Sequence, residues 1–184
     1  MGRRITDLAA VLDLFEGFEE SMYRLEALQV YDVAYERARY DAFLAAEPID
    51  LAPGPWQEAI RRHRDAGRAV ERVHVVFEPL TDYVRYEIAT SYRRGVAAGE
   101  FIAIIPATAG HWPAGVPTQD YWLFDDREVW AMEYDSHGRF VVAEHRTQPA
   151  EIQDAVHGKR NALAAATPLD SYLATSHPVL RHVS

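Results

Sequence analysis

The sequence predicts an α/β fold on a mixed sheet, from two observations. First, Val70 to Phe77 alternates its side chains, with Val73, Val75 and Phe77 on one face, and Phe101 to Ile105 is almost wholly apolar; between them Asp82 to Ala97 spaces Val84, Ile88 and Tyr92 one helical turn apart. Strand, helix, strand is a βαβ unit, whose crossover is right-handed. Second, three short apolar runs between Tyr121 and Glu144 are separated by turn residues, the pattern of an antiparallel meander. With N-terminal and C-terminal helices packed on the sheet, the expectation is one domain over residues 1–184.

The elements follow in order. Thr6 is a capping residue ahead of an amphipathic helix carrying Leu8, Val11, Leu12 and Phe15, which Gly17 ends. Ser21 to Leu28 alternates as a short strand. Tyr35 to Ala46 has helical spacing, and Pro48, Pro53, Gly54 and Pro55 break the chain before a second helix from about Trp56 to Ala66. Gly67 closes that helix, and Val70 to Phe77 reads as an interior strand. Pro79 stops further pairing, Thr81 caps the helix that starts at Asp82, and Gly99 lies just beyond its end. After a Gly/Pro loop from Ala107 to Pro117 come strands at Tyr121 to Phe124, Val129 to Tyr134 and Phe140 to Glu144, with turns at Asp125-Asp126-Arg127 and Asp135-Ser136-His137-Gly138. Pro149 opens a final helix through Ala166, and Pro168 ends or kinks it before Leu169 to Leu173.

Composition removes several function classes. A chain of 184 residues buries roughly 70% of the surface it exposes when unfolded, so one real core is expected. It has no cysteine, which excludes disulfides, thiolate nucleophiles and Cys-based metal sites and fits a cytoplasmic location. Acidic residues interrupt the first thirteen positions, so no secretory apolar run is read there, and no stretch approaches a membrane span. The formal charge of −9 opposes a phosphate backbone and argues against direct nucleic-acid binding. The eight histidines, at 63, 74, 111, 137, 145, 157, 177 and 182, show no zinc spacing, and no nucleophile elbow, phosphate loop or dinucleotide fingerprint occurs. Neither a metal nor a cofactor is expected.

The first candidate site is Glu78 to Glu87, which concentrates charge at a strand end and a helix start. Arg85 stands in the first helical turn, where the dipole disfavours a cation, so Glu78, Asp82 or a bound anion should hold it. A structural ion-pair network accounts for the same residues. Asp120, Asp125, Asp126, Glu128 and Glu133 suggest a carboxylate cluster, but Asp120 and Asp126 would lie roughly 20 Å apart along a strand, so turn chemistry accounts for them better. Tyr83, Tyr86, Trp112 and Trp122 read as core before they read as a pocket.

At Tyr23 to Glu26, Arg72 to Val76, Glu78 to Tyr83, Gly99-Glu100 and Asp120 to Asp126, the chain resembles the actinobacterial domain-of-unknown-function family 6879 over nearly its whole length. Members are typically encoded beside helix-turn-helix regulators, so the resemblance implies a cytosolic accessory or regulatory role and brings no catalytic residues. The strand-helix-strand and meander are also similar to one half of a phospholipase D-like fold. His157-Gly158-Lys159 resembles the start of that family's signature, but its aspartate would fall at Ala164 and the tripeptide lies in a predicted helix.

The expected function is therefore that of a non-enzymatic, self-associating protein that binds a helix-turn-helix regulator or a small anionic ligand. The candidate binding residues are Arg24, Arg72, Glu78, Asp82, Arg85, Glu87 and Asp120. The alternative is a hydrolase or transferase acting on a phosphorylated or nucleotide-like substrate, with acid/base work by Glu78, Asp82, Glu87 or Asp120. Carboxylates converging in an open pocket favour the enzyme; carboxylates consumed by buried ion pairs disfavour it.

Overall fold

A computed structural model describes residues 2–108 and 110–176. His177 and His182 of the histidine inventory, and Ala109 of the Gly/Pro loop, lie outside the described residues.

The chain opens with β1 (Arg4–Ile5), too short to carry a readable period, and α1 (Leu8–Val11), which continues as a 3-10 turn through Glu16. Asp7, not Thr6, caps this helix: its carboxylate accepts from the Ala9 N–H at 2.9 Å. Then come β2 (Ser21–Glu26), a 3-10 turn (Ala34–Glu36) leading into α2 (Arg37–Leu44), and α3 (Pro55–Asp65). β3 (Ala69–Phe77) is followed by α4 (Asp82–Glu87), one wide π turn (Ile88–Tyr92) and α5 (Arg93–Ala98), a continuous helical segment begun by Thr81, whose hydroxyl accepts from the Val84 N–H at 3.2 Å. The remaining elements are β4 (Phe101–Ala107), β5 (Tyr121–Phe124), β6 (Glu128–Tyr134), β7 (Phe140–Arg146), α6 (Pro149–Ala165), β8 (Thr167–Pro168) and α7 (Leu169–Ser176).

All eight strands form one mixed sheet in the order β1-β7-β6-β5-β2-β3-β4-β8. β2, β3 and β4 are mutually parallel, so the predicted βαβ unit is present, and β5, β6 and β7 are the predicted meander. β2 sits at the junction, parallel to β3 and antiparallel to β5. Strand alternation sorts side chains between two layers. Tyr23, Leu25, Val73, Val75, Ala103 and Leu123 pack against Ala155 and Ala162 of α6. On the opposite face Met22, Val70, Trp122 and Trp130 pack with Val11, Phe15 and Ile60, while Val76, Ile102 and Ile104 pack with Val84, Ile88 and Leu173. That second face also carries charge.

Candidate functional site

Parallel pairing sets Arg24 opposite Arg72 and Glu26 opposite His74, and antiparallel pairing sets Arg24 opposite Trp122. Because the side-chain period is two, Arg24 and Glu26 project from β2 on the same side as Arg72 and His74 from β3. Four polar side chains thus stand in a square on two central strands. The helical segment α4–α5 lies over them, and its π turn widens the repeat so that Glu87 and Tyr92, five residues apart, both reach the square.

The contacts are dense. Arg24 meets Asp120 at 2.6 Å, donates to the Tyr134 hydroxyl at 2.9 Å and approaches Glu26 at 3.5 Å, with its guanidinium 5.3 Å from the Trp122 ring centre. Asp120 also accepts from the Tyr31 hydroxyl at 2.7 Å and the Ala27 N–H at 2.8 Å. Arg72 bridges Glu26 through Nη1 and Glu100 through Nε, the latter at 2.8 Å. Glu100 is accommodated under α5 because position 95 is glycine: a Cβ there would stand 2.4 Å from the Glu100 Oε2.

A chain of short contacts runs from His74 through Tyr92 to Glu26. His74 Nδ1 lies 2.7 Å from the Tyr92 oxygen, that oxygen lies 2.7 Å from Glu26 Oε2, and His74 Nε2 donates to the Leu28 carbonyl at 2.7 Å. Neutral His74 and Tyr92 bring two protons to three contacts, so one further proton completes the chain. Glu87 Oε2 lies 3.8 Å from His74 Nδ1 and has no hydrogen-bond partner among the described residues, and Arg24 Nη1 is likewise buried without one among them.

Burial works against each carboxylate, and only at Glu26 do the neighbouring cations overcome it. For Glu26 burial is outweighed by Arg72 and Arg24, aided by His74 and the Tyr92 hydroxyl, and its carboxyl falls to about 2. Burial pushes Asp120 up, against Arg24 and the Tyr31 hydroxyl, and pushes Glu100 up, against Arg72. Glu87 is driven well above the carboxylate range by burial, then by Glu26 and Glu36, against a weaker pull from Arg72. Burial also lowers His74, against the pull of Glu26.

Of the residues expected from sequence, Arg24, Arg72, Glu87 and Asp120 meet in this cluster. Glu78, Asp82 and Arg85 do not, and the expected single site over Glu78 to Glu87 divides. Asp82 and Arg85, at i and i+3, share the solvent face of α4 and approach each other only to 3.7 Å, while Glu87 is turned inward. Glu78 does not hold Arg85; its carboxylate accepts from the Tyr172 hydroxyl of α7. Glu26, His74 and Glu100 were not singled out. Asp125 and Asp126 take positive φ in the β5–β6 turn, as expected of turn residues, but the Asp125 carboxylate reaches across the fold and collects the N–H groups of Glu19, Glu20 and Ser21 at 2.7 to 3.2 Å. Lys159 lies on α6 and pairs with Glu71 and Asp126 at 3.2 and 3.0 Å.

Open space lies beside the cluster. A cleft of about 290 Å³ is bounded by the loop after β2 and the β6–β7 hairpin, with Tyr31, Tyr40, Tyr83, Arg37, Arg139 and His137 among its walls. Among the described residues no group of three His, Asp or Glu side chains is arranged to hold a metal ion, and no helix is long and apolar enough to cross a membrane.

Sheet and cluster together define a mixed α/β protein with a buried ionic network clamped between two parallel strands and a π-bulged helix. The chain belongs to the family described as Domain of unknown function (DUF6879), whose model matches residues 9–174. No curated protein matches it.

Proposed function

We propose that this is a non-enzymatic accessory or regulatory protein of the cytoplasm that acts by binding, its partner a helix-turn-helix regulator or a small anionic ligand. One observation carries the reading: Asp120, Glu26 and Glu100, the carboxylates best supplied with neighbouring charge, are tied to Arg24 and Arg72 beneath α4–α5 and do not line the adjoining cleft. Groups committed in this way fix geometry and are poorly placed to exchange protons with a substrate. The charge of −9 suits encounter with a basic DNA-binding partner better than with DNA itself. Self-association belongs to the same reading.

The alternative, a hydrolase or transferase acting on a phosphorylated or nucleotide-like substrate, draws on the Glu87 oxygen without a partner beside the His74–Tyr92–Glu26 chain. Buried groups with displaced proton affinities occur at active sites as well as in structural networks. Size-exclusion chromatography with light scattering, on the protein alone and mixed with the helix-turn-helix regulator encoded nearest to it, tests the binding reading. A shared peak of defined stoichiometry is expected. Separate elution, together with turnover of phosphate esters that Glu87→Gln abolishes, would replace it with the enzyme.

A further inference from the structure

The cleft beside the cluster has a composition that the buried network does not explain. Its two walls come from segments far apart in sequence and are tied together: the Asp32 N–H donates to the Gly138 carbonyl at 3.0 Å, and a Cβ on Gly138 would stand 2.4 Å from the Val30 carbonyl oxygen. The hairpin tip is therefore seated on the loop, and the cleft is preformed. Each segment sends one arginine into it, Arg37 from the start of α2 and Arg139 from the hairpin.

Both guanidiniums converge on one carboxylate. Asp32 accepts from Arg37 Nη2 through one oxygen and from Arg139 Nε, at 2.7 Å, through the other. The arginine side chains are 60% and 64% exposed while Asp32 is 20% exposed, so the carboxylate is set back behind two cations that reach solvent. Each guanidinium carries five N–H donors, and Asp32 occupies one on each. Among the residues lining the cleft two arginines face the one carboxylate of Asp32, while Asp135 stands behind the hairpin wall, accepting from the His137 and Arg139 N–H groups, and Glu36 accepts from the Tyr83 hydroxyl. Beside the arginines stand His137 and the rings of Tyr40 and Tyr83, 5.5 Å apart between centres. A volume of about 290 Å³ lies at the small end for sites that take organic molecules.

We infer that this cleft binds a small organic phosphomonoester, with Arg37 and Arg139 clamping the dianion, the packed pair Tyr40 and Tyr83 forming one wall against its organic part, and Asp32 standing in for the phosphate when the site is empty. Arginine forks match phosphate oxygens in pairs, and each guanidinium keeps donors that Asp32 does not use. Asp32 is then a competitor built into the site: it keeps the arginines oriented and sets a threshold the ligand must exceed. The inference deepens the binding reading above by naming a ligand class and a place, and rests on that reading. Its test is separable, because a regulator that shares a peak does so whether or not the cleft takes a phosphate.

The experiment is isothermal titration of the full chain with phenyl phosphate and with inorganic phosphate. Saturable one-to-one binding of phenyl phosphate is expected, at least tenfold tighter than inorganic phosphate. Arg37→Ala and Arg139→Ala should each weaken it by tenfold or more with circular dichroism unchanged, and Asp32→Asn, which removes the competitor and leaves both arginines, should tighten it severalfold. Asp32→Asn also keeps the test decisive if an arginine variant does not fold. No saturable heat from either the wild type or Asp32→Asn overturns the inference, as does equal affinity for the two probes or binding indifferent to both arginines.

Discussion

Glu87 is buried beside His74 with no guanidinium bonded to it, while Glu26 and Glu36 add repulsion, so its carboxyl favours the protonated form. A folded value raised above the ordinary 4.5 means that its contribution to stability is complete below 4.5 and is lost as pH rises toward the folded value. Glutamine copies the neutral acid. Glu87→Gln should therefore be at least as stable as the wild type at pH 7, with an advantage that grows as pH rises from 4.5; urea midpoints at a series of pH values read this. Lower stability of the variant at pH 7 would show instead that ionised Glu87 balances a charged His74. Glu26 has the opposite sign. Its carboxyl, held at about 2, stabilises the fold above 4.5 and loses that role as pH falls toward 2, so the deficit of Glu26→Gln relative to the wild type should shrink over that interval. Half of the cluster is legible as charged residues within or beside the predicted elements; Glu26 and His74 become legible only when each is read together with the residue two positions before it. The signal was the spacing: Arg24-x-Glu26 and Arg72-x-His74 each put two ionisable groups on one face of a strand whose other face is apolar, and a buried strand carries such groups only when they are paired.

At the scale of elements, the helical segment over the cluster is where local pattern and observed structure part. The sequence predicts an uninterrupted helix from Asp82 to Ala97, and the segment does run without a break, but Ile88–Tyr92 takes a π turn. Spacing of apolar residues cannot announce this, since Val84, Ile88 and Tyr92 fit an ordinary helix; the demand comes from below, where Glu26 and His74 need the Tyr92 hydroxyl. Gly95 has a similar cause. In an exposed helix interior alanine is better than glycine by about 1 kcal/mol, yet here the missing Cβ makes room for the Glu100 carboxylate that holds Arg72. Gly95→Ala should therefore lower the thermal midpoint instead of raising it, and an increase would mean that Glu100 can move aside without cost. The two-residue strands β1 and β8 escaped the sequence reading because two residues cannot display a period. The division of Glu78 to Glu87 followed from helix geometry: Asp82 and Arg85 face solvent, and Glu87, two residues beyond Arg85 and so about 200° further round the helix, faces the sheet.

Across the whole molecule, the parallel βαβ half and the antiparallel meander join at β2, and that seam is where the ionic cluster lies. Asp120 enters just before β5, Arg24 and Glu26 come from β2, Arg72 and His74 from β3, Glu100 from the residue before β4, and Glu87 and Tyr92 from the helix above. The cluster thus ties together both halves of the sheet and one covering layer. The fold class was readable in order along the chain because strand alternation and helix spacing are local, whereas the pairing of β2 between β3 and β5 is not, and the cluster depends on that pairing. The proposal that these carboxylates hold the fold together, and are not kept for catalysis, is tested most directly by equilibrium unfolding of Asp120→Asn in urea. The variant leaves Arg24 buried with its closest anion removed, so a loss of about 3 kcal/mol is expected; stability equal to that of the wild type would contradict the claim and return Asp120 to the list of groups kept for chemistry.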